Sequence, residues 1–298
     1  MQKANTWLLS HQNQIYSQSG EDGIIGEILK LIPDKNFWCV EFGALDGASL
    51  SNTRNLIAHS GYCAVLIEAS SARFAELKVN YSQSTKVTTI NRSVGFSIND
   101  NLDNILVKTA APLDFDFLSI DIDGNDFHVW NAITRYSPKV VCIEFNHTIP
   151  NEIEFVQVAD PNVAQGSSLS ALVALGKIKS YELVCVQGVN AFFVKSEYFS
   201  MFEIGDNSVS SLRTDRSAIT YIFIGYDGTV FLRGCQAMPW HCKLPLVQSN
   251  FQRLPRYLRK FSDSYNKVER IVFGIYLLFS SPLTLISEIK KRRTNAKR

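Results

Sequence analysis

Short, almost wholly apolar runs alternate with segments of helical period along the first half of the chain. "FWCVEFG", "CAVLIEAS", "KVTTINRSVG", "FDFLSIDIDG" and "KVVCIEFN" predict strands. "SNTRNLIAHS", "ARFAELKVNYS", "NDNLDNILVKTA" and "NDFHVWNAITRY" predict the helices between them, with Phe74 and Leu77 on one helix face. Ahead of the first strand, "IYSQSGEDGIIGEILKLI" reads as a polar loop entering a helix, with Ser19 as its cap. Apolar strands separated by helices indicate a parallel sheet covered on both faces.

After Asn146 the pattern loosens, and residues 147–168 read as irregular. "SLSALVALGKIKS" predicts a helix. "YELVCVQGVNAFFVKSEYF" predicts two antiparallel strands around a turn at Gly188–Asn190. "AITYIFIGYDGTVFLRG" predicts a further hairpin, turning at Tyr226–Gly228 and lying outside the main sheet. The expected organisation is an α/β domain over 1–200, a β-hairpin extension over 201–250 and a basic, apolar tail over 251–298.

Charge sharpens that division. From Phe251 onward there are 12 Lys and Arg against 3 Asp and Glu, whereas the remainder has 18 against 25. The acidic body argues against a nucleic-acid partner. The start has no apolar signal segment. Cys39, Cys63, Cys142 and Cys185 lie in apolar runs and read as reduced, buried thiols, which suits a cytoplasmic protein.

The candidate chemistry begins at the first strand. Glu41-Phe-Gly43-Ala-Leu-Asp46-Gly47 lacks the GxGxxG spacing of a dinucleotide loop. Its glycines would let backbone approach a ligand, and its acids would suit a cationic one. Glu68, ending the next strand, is placed to accept the hydroxyls of a ribose. S-adenosylmethionine carries a ribose, an amine and a sulfonium without phosphate, and it fits this set. The plainer reading is that the glycines turn the chain and Glu68 is solvated.

Four segments together resemble the FkbM-like methyltransferases: "YSQSGEDGII" (Tyr16–Ile25), "VEFGALDGASLSNT" (Val40–Thr53), "GYCAVLIEASSARFAEL" (Gly61–Leu77) and "FDFLSIDIDGNDFHVWNAI" (Phe115–Ile133). Asp123 stands where the family's D-I-E-G motif has Glu, and Ala69 follows the ribose acid where Pro is common. The resemblance implies a class I methyltransferase (Rossmann-like), mostly parallel sheet closed by an antiparallel hairpin, which fits the strand pattern; here a C-terminal β-hairpin and helical tail follow. It implies S-adenosylmethionine-dependent methyl transfer to oxygen on a sugar, glycan or secondary metabolite. Gly43, Asp46 and Gly47 would line the methionine end of the cofactor, with Glu41 beside them, and Glu68 would hold the ribose. Gln18, Glu21 and Asp22 would close over the cavity, unless the two acids serve as helix-capping groups.

Strand alternation places Asp121 and Asp123 on one face of a strand end, and Glu144 and Asn146 on one face of the next. Asp121, Asp123, Glu144 and His147 are therefore candidates to position an acceptor hydroxyl and take its proton. Asp121, Asp123 and Glu144 would also suit a divalent cation. Asp126 reads as a charge at a helix start, and His128 as a helix-surface residue. Cys235, His241 and Cys242 lack a fourth ligand and the spacing for zinc.

Ile271 to Ser287 contains no charge and is flanked by basic clusters. Broken by Pro282 and short of a span, it suits an anionic membrane surface, here the inner face, better than a crossing. A lipid-linked glycan precursor would then be a sensible acceptor. The competing readings are a nicotinamide-dependent sugar-modifying oxidoreductase and a non-catalytic membrane-associated binding protein.

Overall fold

The computed structural model describes residues 3–295. The chain divides into two compact units, Met1–Arg216 and Ser217–Arg298. The first unit holds seven strands: β1 (Trp38–Phe42), β2 (Cys63–Glu68), β3 (Val87–Asn91), β4 (Phe117–Ile120), β5 (Val140–Glu144), β6 (Tyr181–Gln187) and β7 (Asn190–Lys195). Their order across the sheet is β3-β2-β1-β4-β5-β7-β6. Only β7 runs against the rest, pairing antiparallel with β5 and β6. This is the class I methyltransferase sheet, closed by the hairpin that the sequence pattern anticipates.

The central strands are buried because helices cover both faces. Val40, Leu66, Leu118 and Val141 are fully enclosed. The edge strand β3 is short and half polar, which discourages pairing with another chain. Helix α1 (Glu21–Leu31) turns Ile24, Ile25, Ile28 and Leu29 inward. Its cap is Gly20 at φ +89° and not Ser19, because the Glu21 carboxylate reaches back to accept from Ser19 N at 2.6 Å. Between the strands lie α2 (Arg54–His59), α3 (Ser71–Asn80), α4 (Leu102–Leu106), α5 (Asp126–Ala132) and α6 (Leu169–Ile178). Ser70, Asn101 and Ser168 cap α3, α4 and α6 through their side chains. Leu77 is buried on α3, with Phe74 packed partly beside it. Cys39, Cys142 and Cys185 are buried free thiols, while Cys63 is only partly enclosed.

The first unit runs past the expected boundary at residue 200. Phe202, Ile204 and Leu212, the last on α7 (Val209–Leu212), belong to its core. Trp7 Nε1 donates to Phe202 O at 2.9 Å, and Asn5 Nδ2 donates to Ser211 Oγ at 2.9 Å. Residues 147–168 are irregular yet pinned. Buried Gln157 accepts from Gln165 N and Gly166 N and donates to Val163 O. His128 is not a free surface residue: it contacts Gln157 O at 2.8 Å and packs against Phe96 and Phe127.

In the second unit β8 (Thr220–Ile224) and β9 (Val230–Gly234) form their own antiparallel hairpin. Asp227 accepts from Thr229 N and Oγ1 in its turn. A two-residue pair, β10 (Ala237–Met238) and β11 (Leu244–Pro245), follows. The chain then forms α8 (Lys267–Ser280), started by an Asn266–Glu269 capping box, and α9 (Pro282–Asn295). Residues 296–298, the end of the basic cluster, lie outside the described residues. No helix among the described residues is long and apolar enough to cross a membrane.

Two glycines make opposite predictions. At Gly43, φ is +72° and an added Cβ would stand 1.9 Å from Asp121 O. Gly43→Ala should destabilise the protein by more than about 2 kcal/mol. At Gly26, inside α1, nothing lies within 4 Å of an added Cβ, so Gly26→Ala should stabilise by about 0.5–1 kcal/mol. Thermal and denaturant unfolding of both variants measures the two signs.

Candidate functional site

The strand order reverses between β1 and β4, and ligands of open α/β sheets bind at such a switch, beyond the carboxyl ends of the strands. A cavity lies there. Gln18, Glu41, Gly43, Leu45, Asn52 and Asp121 line it, with Phe42, Ala44, Ser49, Leu50, Ser51 and Ser119.

Glu41, the penultimate residue of β1, is buried and builds the cavity floor. Its Oε2 accepts from Ser51 Oγ and Thr53 Oγ1, both at 2.6 Å, and Oε1 accepts from Asn52 N at 2.8 Å. Burial raises its pKa, and these three donors oppose the rise. The Ser-Asn-Thr run is thus the counterpart of a buried acid. Asn52 Nδ2 then donates to Ser119 Oγ at 3.1 Å, tying the loop to β4.

The two loop glycines have protein neighbours. The Gly43 backbone lies against Asp121 O and also lines the cavity. Gly47 is buried: its added Cβ would meet Leu77 Cδ1 at 2.4 Å and Tyr81 Cε2 at 2.6 Å. It is not among the cavity-lining residues, and its close packing against Leu77 and Tyr81 accounts for a glycine here. Asp46 closes its own turn, accepting from Ala48 N, Ser49 N and Ser49 Oγ, and it does not line the cavity. Those donors lower its pKa in spite of partial burial.

Glu68 is buried and not solvated, and like Asp46 it is not among the cavity-lining residues. Oε2 accepts from Leu45 N at 2.8 Å and Oε1 from Ser70 N at 2.6 Å, so this acid fixes the crest of the glycine loop. In the N-terminal segment only Gln18 reaches the cavity lining. Asp22 Oδ2 gathers Ile15 N, Tyr16 N, Ser17 N and Ser17 Oγ within 2.9 Å. Glu21 accepts from Ser19 N and from Asn190 Nδ2, and Gln187 Nε2 donates to Ser19 O at 2.8 Å. The two acids organise the segment and fasten it to the β6–β7 hairpin. Asp22 and Glu21 do not themselves close over the cavity.

The rim acids do converge, with Asp121 in the cavity lining and Asp123 and Glu144 beside it. One oxygen each from Asp121, Asp123 and Glu144 lies within 4.8 Å of the others, and among the described residues this is the one such group of potential metal ligands. Asp123 takes φ +57° at the turn out of β4. Burial, then Asp121, Asp126 and Asp123, push the Glu144 pKa up to about 9. Burial and Asp123 raise Asp121, while its hydrogen bond with Glu144 opposes the rise. At neutral pH the two carboxylates therefore hold a proton between them. Asp126 is buried behind them, accepting from Ile122 N and Gly124 N, and burial raises its pKa to about 7.

His147 is half-buried and outside the cavity lining, and burial followed by Arg213 lowers its pKa. Buried Arg213 donates to His147 O, to Ile149 O at 2.7 Å and to Asn151 Oδ1 at 2.9 Å, holding the loop beyond β5. Sequence reasoning did not single out Arg213, Asn125 or Gln157. Asn125 Nδ2 donates to Asp160 O and Val163 O, across 35 and 38 residues that no local pattern spans.

No protein-family model matches the chain, and no curated protein does. Among solved structures, the chain is similar to the N-terminal domain of EvdMO1 in the presence of SAH and D-fucose, with a TM-score of 0.39 and 11% identity over 58% of this chain and 80% of that one. It is similar to a SAM dependent methyltransferase from Aquifex aeolicus, with a TM-score of 0.34 and 12% identity over 57% and 87% of the two chains. It is also similar to the citrinin polyketide synthase CMeT domain, with a TM-score of 0.39 and 11% identity over 59% and 51%. Likenesses this distant carry no argument beyond the strand order already described.

The Glu144 proton predicts a pH dependence. Between the ordinary value of 4.5 and about 9 the native state holds a proton that the unfolded chain has released. Stability should therefore fall as pH rises through this window, by at most about 1.4 kcal/mol per pH unit. Asp126 fades from the slope above about pH 8, while the buried thiols of Cys39, Cys142 and Cys185, raised by burial, add to it, so Glu144→Gln, which keeps a donor toward Asp121, should make the slope shallower than the parent's. Urea unfolding from about pH 7.5 to 9 checks it.

Proposed function

We propose that this chain is an S-adenosylmethionine-dependent methyltransferase that methylates a hydroxyl of a sugar, glycan or lipid-linked glycan precursor. The observation that carries the reading is the chemistry of the switch-point cavity. It presents the carboxylates of Glu41 and Asp121 and no Lys, Arg or His side chain among its described lining residues. A pyrophosphate would meet like charge there, whereas a ligand bearing an amine and a sulfonium would meet opposite charge. The FkbM-like motifs of the sequence support the same choice, and they supply the oxygen acceptor and its sugar class.

The cofactor would bring a methyl group already activated on positive sulfur. The backbone at Gly43 and the acids Glu41 and Asp121 would face its cationic end, Gln18 would close over it, and Glu68 would offer its remaining lone pairs to the ribose. Asp121 and Asp123 would orient the acceptor hydroxyl and take its proton. Glu144, sharing a proton with Asp121 at neutral pH, would orient the acceptor beside them. Asp121, Asp123 and Glu144 would hold a divalent ion only after losing their shared proton. Turnover that survives a chelator would remove the ion and leave the rest of the reading standing.

Calorimetry on the full chain tests the assignment. S-adenosylmethionine and S-adenosylhomocysteine should bind, and NAD should not. Binding of NAD alone would favour the oxidoreductase, and binding of none of the three the non-catalytic protein. Glu68→Gln, which keeps one acceptor oxygen, should weaken cofactor binding by about 1–3 kcal/mol. Asp123→Asn should lower turnover more than cofactor affinity, and equal losses in both would move Asp123 from acceptor to cofactor binding.

A further inference from the structure

The second unit carries an apolar surface that methyl transfer does not use. On α8, Ile271 and Phe279 are 64% and 84% exposed, and Ile275 and Leu278 are exposed between them. At about 3.6 residues per turn these four fall within an arc of about 100°. Other positions on the helix do the packing. Phe273 meets Tyr265 with ring centroids 5.5 Å apart, and Tyr276 Oη donates to Arg253 O at 2.6 Å. The chain leaves helical geometry at Ser281 (φ −161°, ψ 69°), and Pro282 opens α9, where its missing N–H is harmless. Leu283 and Ile286 then continue the exposed apolar surface.

Charge decides what covers it. Residues 271–287 contain no Asp, Glu, Lys, Arg or His, while Lys267 and Arg270 precede them and Lys-Lys-Arg-Arg follows at 290–293. A second copy of the chain would bring two strongly basic segments together. An anionic lipid surface meets both the apolar arc and the charge at its ends. A crossing is not available, because α8 has 14 residues and a span needs about 20.

We infer that α8 and α9 lie in the headgroup region of an anionic bilayer, with the arc of Ile271, Ile275, Leu278 and Phe279 turned into the acyl boundary. Burial of the arc and attraction to the headgroups act together. The docking is independent of the methyl-transfer reading.

Flotation of the full chain with vesicles tests it. The protein should float with phosphatidylcholine containing phosphatidylglycerol and stay in solution with phosphatidylcholine alone. Raising salt from about 0.1 to about 0.5 M should weaken binding without abolishing it. An Ile275→Ser, Phe279→Ser double variant should lose at least about tenfold in partitioning. Its melting temperature and S-adenosylmethionine affinity should stay as in the parent, since both side chains are exposed. A full chain that stays unbound overturns the inference. So does a double variant that binds as well as the parent, which would mean adsorption by charge alone. A dimer seen by light scattering and lost in the double variant would assign the arc to a second copy.

Discussion

The carboxylate of Glu41 is buried near the end of the central strand, where an unsatisfied charge would cost several kcal/mol. Three short hydrogen bonds from Ser51, Asn52 and Thr53 hold it. Much of the site follows from satisfying that one group. The loop after β1 must fold back far enough to deliver two hydroxyls and an N–H, which fixes where α2 begins. It also turns the Asn52 amide toward Ser119, so β1, its loop and β4 become one rigid floor. The close approach of Gly43 to Asp121 O seals the same seam from above.

The same device recurs around the sheet. Glu68, Asp22 and Asp126 each accept from two or more backbone N–H groups of the loops around them. At the opposite end, buried Asp116 accepts from Asn36 N and Phe37 N and pairs with Lys139 at 2.7 Å. Loops rich in backbone donors need acceptors, and a carboxylate supplies two oxygens with several lone pairs. The scaffold thus uses acids to shape loops, and the cavity inherits negative charge from some of them. Glu144 and Asp121 are the exception. They face each other, and the pair relieves its repulsion by keeping a proton.

What could be read in the sequence follows the range of the interactions. Strand and helix alternation is local, so the sheet, its closing hairpin and the separate β8–β9 hairpin were all legible. Asp121, Asp123 and Glu144 do meet at one rim, but Asp123 reaches it through a turn at φ +57° beyond β4 and not by strand alternation. The uses of single residues were less legible, because their partners are remote. Glu21 reads locally as a helix-start acid, yet it also binds Asn190, 169 residues away. Gly47 reads as loop freedom, yet Leu77 and Tyr81 occupy the space its side chain would need. Ser19 has a capping side chain, but the Glu21 carboxylate takes its N–H and leaves the cap to Gly20.

The N-terminal segment that supplies Gln18 to the cavity is fastened by Asn5 to Ser211, Trp7 to Phe202, Ser19 to Gln187 and Glu21 to Asn190, partners 168 to 206 residues further along. On a translating ribosome, at about 5–20 residues per second, the segment waits on the order of ten to forty seconds for them to emerge. The nascent chain can build β1 to β5 and bury Glu41 long before that. Its leading edge, though, can meet little beyond Arg54 and His59, through Tyr16, until the β6–β7 hairpin and the residues after it are made. Completion of the cavity is thereby reserved for a chain whose whole sheet has been synthesised.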